Sequence, residues 1–423
     1  MLKFSKAGRL LFQAKKIFIL YFGNLVAAAI SIVVLPIIAR VYTPSDFGVF
    51  QLFLAWVSIF GSIASLGLHE ALFVSGGDQN DKNSFGFYSI ILAVSSVFLS
   101  TAFLGVYFSG LSTGFSAGDF ALFFLTLYTG GIFKFYQSYC VFSEKLRALV
   151  IAIILFSLFS NIAKLIFGIL NPSYYSLIFS ILLGYILTAI CCYRSFPSLQ
   201  IPSTFRLFGK YITDFSSLIS GGTLSQFLGA VIAWFSVFSS SFVGYSSEQI
   251  GLIAMALTLV QTPLYPLIHA SYNNLISQCS KKFDDKNPIL SEVYKNLLIN
   301  FMLASVIILF YQILTAHFLF IFLGEAWAGV KSYIFLMLAP AIFSLILSPA
   351  YRTQALLSGK QIYLFYIDLV VVIALLTLAF IARINSLSVL YYLVYLSTIL
   401  SMAHIFKFIL FHKFRHSNFE TRS

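Results

Sequence analysis

Two lysines stand where a lysine is costly. Lys134 and Lys164 each lie inside a long apolar run, and an ammonium group deep in hydrocarbon costs roughly 2.5 kcal/mol or more. One resolution is a long stem that carries the charge back to the interface. The other is a wet, polar cavity in which the two cations attract an anion. Neighbours at helical spacing supply the polar surface such a cavity needs. Thr126, Gly130 and Gln137 share the face of Lys134, and Ser157, Ser160 and Asn161 share that of Lys164. On the first apolar segment Asn24, Ala28 and Ser31 form a matching face. Arg40 ends that segment ahead of Asp46, as an interfacial anchor or surface ion pair, or as a guard at the outer mouth. The candidate substrate-binding set is therefore Lys134, Lys164, Asn24, Asn161, Arg40 and Gln137. Asp368 is the one carboxylate well inside a segment. It reads as a local bond near the inner interface or as a coupling site for a proton or cation. His69, His269, His317 and His404 are lone or at segment ends.

Other chemistries lack their residues. The sequence holds no phosphate-binding glycine loop, no dinucleotide fingerprint and no His or Cys cluster at metal spacing. No outer domain offers room for a polymerase or transferase site. Acids of the first half sit at segment ends or in loops: Asp46, Glu70, Asp78, Asp81, Asp119 and Glu144. The expectation is a protein that is no enzyme, with no catalytic residue, metal or cofactor.

The elements that position these residues follow from composition. Of 423 residues 60% are hydrophobic and 9% charged, and mean hydropathy is +0.94, against roughly a quarter charged in a soluble domain. Helices are forced, because lipid leaves no unpaired backbone group satisfied. Apolar segments fall near 17–39, 47–68, 85–108, 119–142, 148–170, 174–193, 215–238, 249–270, 297–322, 332–350, 361–382 and 387–411. The basic residues 1–16 precede a run too long for a signal peptide, so the first helix is read as retained. With the N-terminus placed in the cytoplasm, the 26 Lys and Arg gather on cytoplasmic ends and loops, save Arg40, Lys331, Arg383 and the two buried lysines. Such a bias orients a multi-pass protein with both termini inside. It also assigns the net charge of +12 to anionic headgroups rather than to nucleic acid. Cys140, Cys191, Cys192 and Cys279 fall within segments or at their cytoplasmic ends, and no disulfide is expected.

An internal repeat divides the chain. Tyr42-Thr-Pro-Ser-Asp-Phe-Gly48-Val-Phe50 aligns with Tyr245-Ser-Ser-Glu-Gln-Ile-Gly251-Leu-Ile253, an offset of 203. Six helices per half, an even number, predict two lobes facing the same way and related by a pseudo-two-fold axis along the membrane normal. The predicted fold is all-α, with about twelve transmembrane helices: an N-terminal lobe 1–193, a cytoplasmic linker 194–214 broken by Pro197 and Pro202, and a C-terminal lobe 215–423. Polar stripes agree with a cavity between lobes. Gln51, Ser58, Ser62, Ser65 and His69 share one face of the second helix, and Thr258, Gln261, Tyr265 and His269 one face of the eighth. Helix packing alone would also account for small and hydroxyl residues there.

Arg40-Val-Tyr-Thr-Pro-Ser-Asp-Phe-Gly48, following a basic N-terminus and an apolar first helix, resembles the opening of Wzx-type polysaccharide flippases. These belong to the multidrug/oligosaccharidyl-lipid/polysaccharide exporter superfamily. Val243-Gly-Tyr-Ser246 resembles their seventh-to-eighth helix junction. The resemblance implies alternating access in the bacterial inner membrane and an undecaprenyl-pyrophosphate-linked oligosaccharide repeat unit as substrate, as in O-antigen and lipopolysaccharide assembly. A polysaccharide polymerase and a chain-length regulator are the partners it implies, beside membrane lipids. No motif of the resemblance places Lys134 or Lys164. Competing readings are a drug–cation antiporter of the same superfamily, which wants carboxylates in the substrate lobe, a lipid II-type flippase, and a membrane polymerase or ligase with long outer loops.

Overall fold

The computed structural model of the chain describes residues 6–66, 81–108, 118–143, 145–195, 223–282, 289–357 and 361–420. Most of the expected linker lies outside them, with Pro197, Pro202, Arg206 and Lys210, as do His69, Glu70, Asp78 and Glu144. The described residues are helical throughout, with no strand. Six long helices come from the first half: α1 (Lys6–Val41), α2 (Pro44–Ala64), α3 (Asp81–Phe108), α4 (Asp119–Phe142), α5 (Leu146–Leu170) and α6 (Tyr174–Cys191). Six come from the second: α7 (Thr223–Val243), α8 (Ser247–Lys282), α9 (Ile289–Ile313), α10 (Val330–Leu357), α11 (Gln361–Ile384) and α12 (Val389–Glu420). The protein is an all-α, multi-pass membrane protein. Eleven of the twelve are long and apolar enough to cross a bilayer. The exception is α4, the helix that carries Lys134 and Gln137.

Three helices outrun their apolar windows. Helix α1 begins at Lys6, α8 continues to Lys282 and α12 to Glu420. The stretch after Ser271, expected as an inner loop, is thus helical for three further turns. An apolar window marks only the hydrocarbon-bound part of a helix, and Lys and Arg are good helix formers beyond it. The four cysteines are free.

Two compact units divide the chain: residues 1–42 with 53–230, and residues 43–52 with 231–423. The division passes through two continuous helices, α2 after Leu52 and α7 after Ala230. Within the first unit α3 packs on α4, α4 on α5 and α6, and α5 on α6. Within the second, α9 packs on α10, α10 on α11 and α12, and α11 on α12. The same four pairings recur six helices later, so the sequence repeat is also a repeat of packing. Each unit has further pairs of its own, α1 with α5 in the first and α8 with α9 and α10 in the second.

Local devices repeat as well. The Tyr42 hydroxyl donates to the Lys164 carbonyl at 2.8 Å, and the Tyr245 hydroxyl to the Leu387 carbonyl at 2.9 Å. In each case the tyrosine that follows the first helix of the half is tied to backbone at or just beyond the fifth. The aligned glycines meet each other. A Cβ on Gly48 would stand 2.0 Å from the Ser247 oxygen, and one on Gly251 would stand 1.8 Å from the Pro44 oxygen. Pro44 and Ser247 are themselves 203 apart. The opening turns of α2 and α8 therefore cross backbone to backbone in a reciprocal contact, the arrangement an isologous interface requires.

Prolines inside helices free carbonyls that another element must satisfy. Pro263 removes the donor that Leu259 would use, and the Tyr311 hydroxyl from α9 donates to that carbonyl at 2.7 Å.

Candidate functional site

A cavity of about 600 Å³ opens in the first unit. Its polar floor comes from one face of α4, where Thr126, Gly130, Lys134 and Gln137 follow at steps of four, four and three. Helix α2 contributes Ser58 and Ser62, α6 contributes Tyr185, and the start of α7 contributes Gln226. Every one of these residues lies in the same compact unit. The face deduced for Lys134 from spacing alone is the face that lines the cavity, and Ser58 and Ser62 are the part of the α2 stripe that reaches it.

The Lys134 ammonium donates to the Gln226 side-chain oxygen at 3.3 Å. Its described hydrogen-bond partner is thus a neutral amide, and the lining contains no carboxylate. Among the residues that line the cavity Lys134 is the one that carries a charge, in a site partly shielded from water, where Coulomb attraction for an anion exceeds its value in bulk solvent. Thr126 and Ser62 donate to carbonyls of their own helices, Leu122 at 2.7 Å and Ile59 at 2.6 Å. Among the described residues, the Gln137 amide and the hydroxyls of Ser58 and Tyr185 have no hydrogen-bond partner in the protein.

Lys164 and Asn161 stand in a different place. Lys164 donates to the Asn161 side-chain oxygen at 3.5 Å, and the Asn161 amide donates to the Ser157 carbonyl at 2.8 Å and to Ser31 Oγ at 3.3 Å. Ser157 Oγ donates to the Ala27 carbonyl at 2.9 Å. This ladder ties α5 to α1, and its members do not line the cavity. Lys134 is eight residues from the end of α4, whereas Lys164 is eighteen residues into α5, which starts from that same end. At 1.5 Å per residue the two lysines differ in depth by about 15 Å. Asn24 and Arg40 are exposed on α1. The structure thus brings Lys134 and Gln137 together, brings Lys164 and Asn161 together, and leaves Asn24 and Arg40 outside both groups.

Asp368 on α11 forms a close ion pair with Lys407 on α12, with 17% and 9% of the side chains exposed. The Lys407 ammonium also lies 5.7 Å from the centre of the Tyr351 ring, and the Tyr351 hydroxyl is 3.1 Å from His404 Nδ1. Lys407, counted with the cytoplasmic-end cations in the sequence, is a buried partner. Replacing Asp368 with Asn strands that ammonium, and the expected loss of stability is about 3 kcal/mol or more. Asp368→Leu with Lys407→Met should recover most of it, as read by thermal melting in detergent. A single variant that melts like the parent would show that the pair carries no stability.

The family model described as "polysaccharide biosynthesis protein" matches residues 37–332. The chain belongs to this family. No curated protein matches the sequence. Solved structures do match along nearly the whole chain. One is a multidrug resistance MATE family transporter of the MOP superfamily in an inward-facing conformation, with TM-score 0.66, 14% identity, and 95% of this chain and 96% of that one covered. The lipid II flippase MurJ in an inward closed conformation gives TM-score 0.65, 15% identity and coverage of 93% and 86%. A MOP superfamily transporter from Pyrococcus furiosus, described as having a binding pocket of reversed polarity, gives 0.60, 14%, and 94% and 95%. At these identities the likeness establishes the fold, that of MOP superfamily transporters.

Sequence reading missed Gln226, Tyr185 and Lys407. Gln226 lies near the middle of the expected segment 215–238 but is uncharged, and Tyr185 lies in the middle of one rich in aromatics, so neither stands out as the two lysines do. Lys407 could have been found: Asp368 and Lys407 lie at similar depths in consecutive antiparallel helices, each several residues from the shared end.

Proposed function

We propose that the protein flips undecaprenyl-pyrophosphate-linked oligosaccharide repeat units from the inner to the outer leaflet of the bacterial inner membrane by alternating access. The observation that carries this reading is the cavity of about 600 Å³ that holds an ammonium group and no carboxylate. A sugar–pyrophosphate headgroup cannot enter hydrocarbon, because its polar groups would lose their hydrogen bonds. A polar cavity replaces the water while the prenyl tail stays in lipid. In this reading Lys134 holds phosphate, with Gln137 beside it. Lys164 and Asn161 form a second polar station about 15 Å further along, with Arg40 and Asn24 outside it. No bond is broken, so no catalytic group, metal or cofactor is required.

The driving force has a physical source. A headgroup with about two negative charges leaving a negative-inside cell gains roughly 4–5 kcal/mol per 100 mV. Exchange of a proton or cation would add to this, and the Asp368–Lys407 pair is where it would act. Both termini are placed in the cytoplasm, and a polymerase and a chain-length regulator are the partners downstream. The family description supports a polysaccharide precursor over other anionic lipids.

Deleting the gene in its host tests the reading. The expected result is loss of long-chain surface polysaccharide with single lipid-linked units accumulating on the inner leaflet. Normal polysaccharide with altered drug tolerance would instead establish a drug–cation antiporter. Arrested peptidoglycan synthesis would point to lipid II.

A further inference from the structure

The cavity contains more than a charge, and the surplus has its own chemistry. One wall is aromatic. Tyr185 stacks on Phe156 with ring centres 4.5 Å apart and planes at 21°, and Phe133 packs against both at 5.5 and 5.3 Å. The wall is rigid. A Cβ on Gly184, the residue before Tyr185, would meet Ser160 Cβ at 2.8 Å, so α6 sits directly on α5 and fixes the tyrosine's backbone. The Tyr185 hydroxyl lies over the bare backbone of Gly130, 3.4 Å from where a Cβ would be. Gly130 is one turn from Lys134 on α4, about 6 Å of rise, and Gln137 is about 4.5 Å beyond Lys134.

Around this wall stand three polar groups with no hydrogen-bond partner among the described residues: the Gln137 amide and the Ser58 and Tyr185 hydroxyls. Water can meet such groups in the open cavity, and a ligand that displaces the water must offer them hydrogen bonds in its place. Phosphate alone does not, since Lys134 with Gln226 already gives it a donor. A prenyl chain has no polar atoms to offer. A cationic amphiphile would suit the rings but would face Lys134 with no acid to offset it. The fitting ligand presents an apolar face to an aromatic ring and hydroxyl or amide groups at its edges, within a few ångströms of a negative charge. A pyranose ring attached to a phosphate has that pattern.

We propose that Tyr185 and Phe133, with Gln137 and Ser58, form a carbohydrate subsite that holds the sugar ring next to the phosphate bound by Lys134. This rests on the reading given under the proposed function and adds a specificity element to it. Tyr185 sets the plane of the ring, and Gln137 reads a polar substituent on its edge. Gln226 is a positioning residue. It keeps the Lys134 ammonium turned into the cavity.

The full-length protein in nanodiscs can be titrated with farnesyl pyrophosphate and with the same lipid carrying one of a panel of hexoses and N-acetylhexosamines. At least one sugar-bearing probe should bind about tenfold more tightly than farnesyl pyrophosphate. Tyr185→Leu should bring that ratio close to one while leaving the affinity for farnesyl pyrophosphate unchanged, and Gln137→Leu should lower the ratio. Tyr185→Phe should keep part of it. Gln226→Leu should weaken all probes together. Equal binding of every probe by the parent protein, or a Tyr185→Leu variant that weakens all probes in parallel, would overturn the subsite without overturning the flippase reading. Failure of every probe to bind, or binding indifferent to Lys134→Ala, would overturn the subsite together with the flippase reading on which it rests.

Discussion

Lys134→Glu should abolish export of the lipid-linked repeat unit while the folded protein remains at parental levels in the membrane. Three features of the cavity set that expectation. The ammonium is bonded to Gln226 at 3.3 Å, no carboxylate lines the cavity with it, and its helix is the one of the twelve without a stretch apolar enough to cross a bilayer. Reversing the charge therefore turns the site from one that attracts an anion into one that repels it, with nothing nearby to compensate. Lys134→Ala removes a charge-assisted hydrogen bond, an interaction of about 1.5–3 kcal/mol, so transport should fall by about ten- to a hundredfold. Lys134→Arg keeps the charge and should retain more activity than Ala. The measurement is the rate at which lipid-linked units become accessible at the outer leaflet, normalised to folded protein by size-exclusion profile. If Ala and Glu variants lose folded protein in proportion to export, Lys134 is a packing residue. If Lys134→Glu exports normally, the cavity does not hold the phosphate.

Much of this arrangement is legible without coordinates, and the rest is not, for a physical reason. A cation in an apolar run is a contradiction that sequence displays, and helical spacing then places Thr126, Gly130 and Gln137 beside Lys134. Those are local facts about one helix. The number and type of helices follow from composition in the same way, because the bilayer leaves no other solution. What spacing cannot supply is which helices face one another. Lys134 and Lys164 look alike in sequence, one turn-periodic polar face each, yet one lines a cavity and the other joins the α1–α5 ladder. The Asn24 face of α1 matched the pattern, and Asn24 is nevertheless exposed, because a periodic face says nothing about what covers it. Tyr185 and Gln226 do not stand out as the two lysines do. Their role is created by the meeting of α4 with α6 and α7. The ends of α1, α8 and α12 misled for one reason: hydropathy reports where lipid stops, and these helices continue past that level.

Gly251→Ala should cost more than any other single methyl group added to the described glycines. Its Cβ would stand 1.8 Å from the Pro44 oxygen and 3.2 Å from the Gly48 nitrogen. Both obstacles are backbone, so no rotamer change relieves them, and the opening turns of α2 and α8 must separate by more than an ångström. Overpacking typically costs 1–3 kcal/mol where side chains can adjust, and about 3 kcal/mol or more is expected here. Gly48→Ala meets the Ser247 oxygen at 2.0 Å and should behave alike, because the contact is reciprocal. The two changes together should cost less than the sum of each alone, since the first already forces the helices apart and residues in contact do not add. Gly105→Ala serves as the reference. Nothing lies within 4 Å of its Cβ position, and alanine gains about 1 kcal/mol of helix propensity over glycine. Thermal melting of the four proteins in detergent decides the matter. Gly251→Ala melting at or above the parental temperature would mean that α2 and α8 do not cross at these glycines. Strict additivity in the double variant would mean that the two glycines do not share one contact, and the internal repeat would then lose its structural counterpart at the point where the two halves align best.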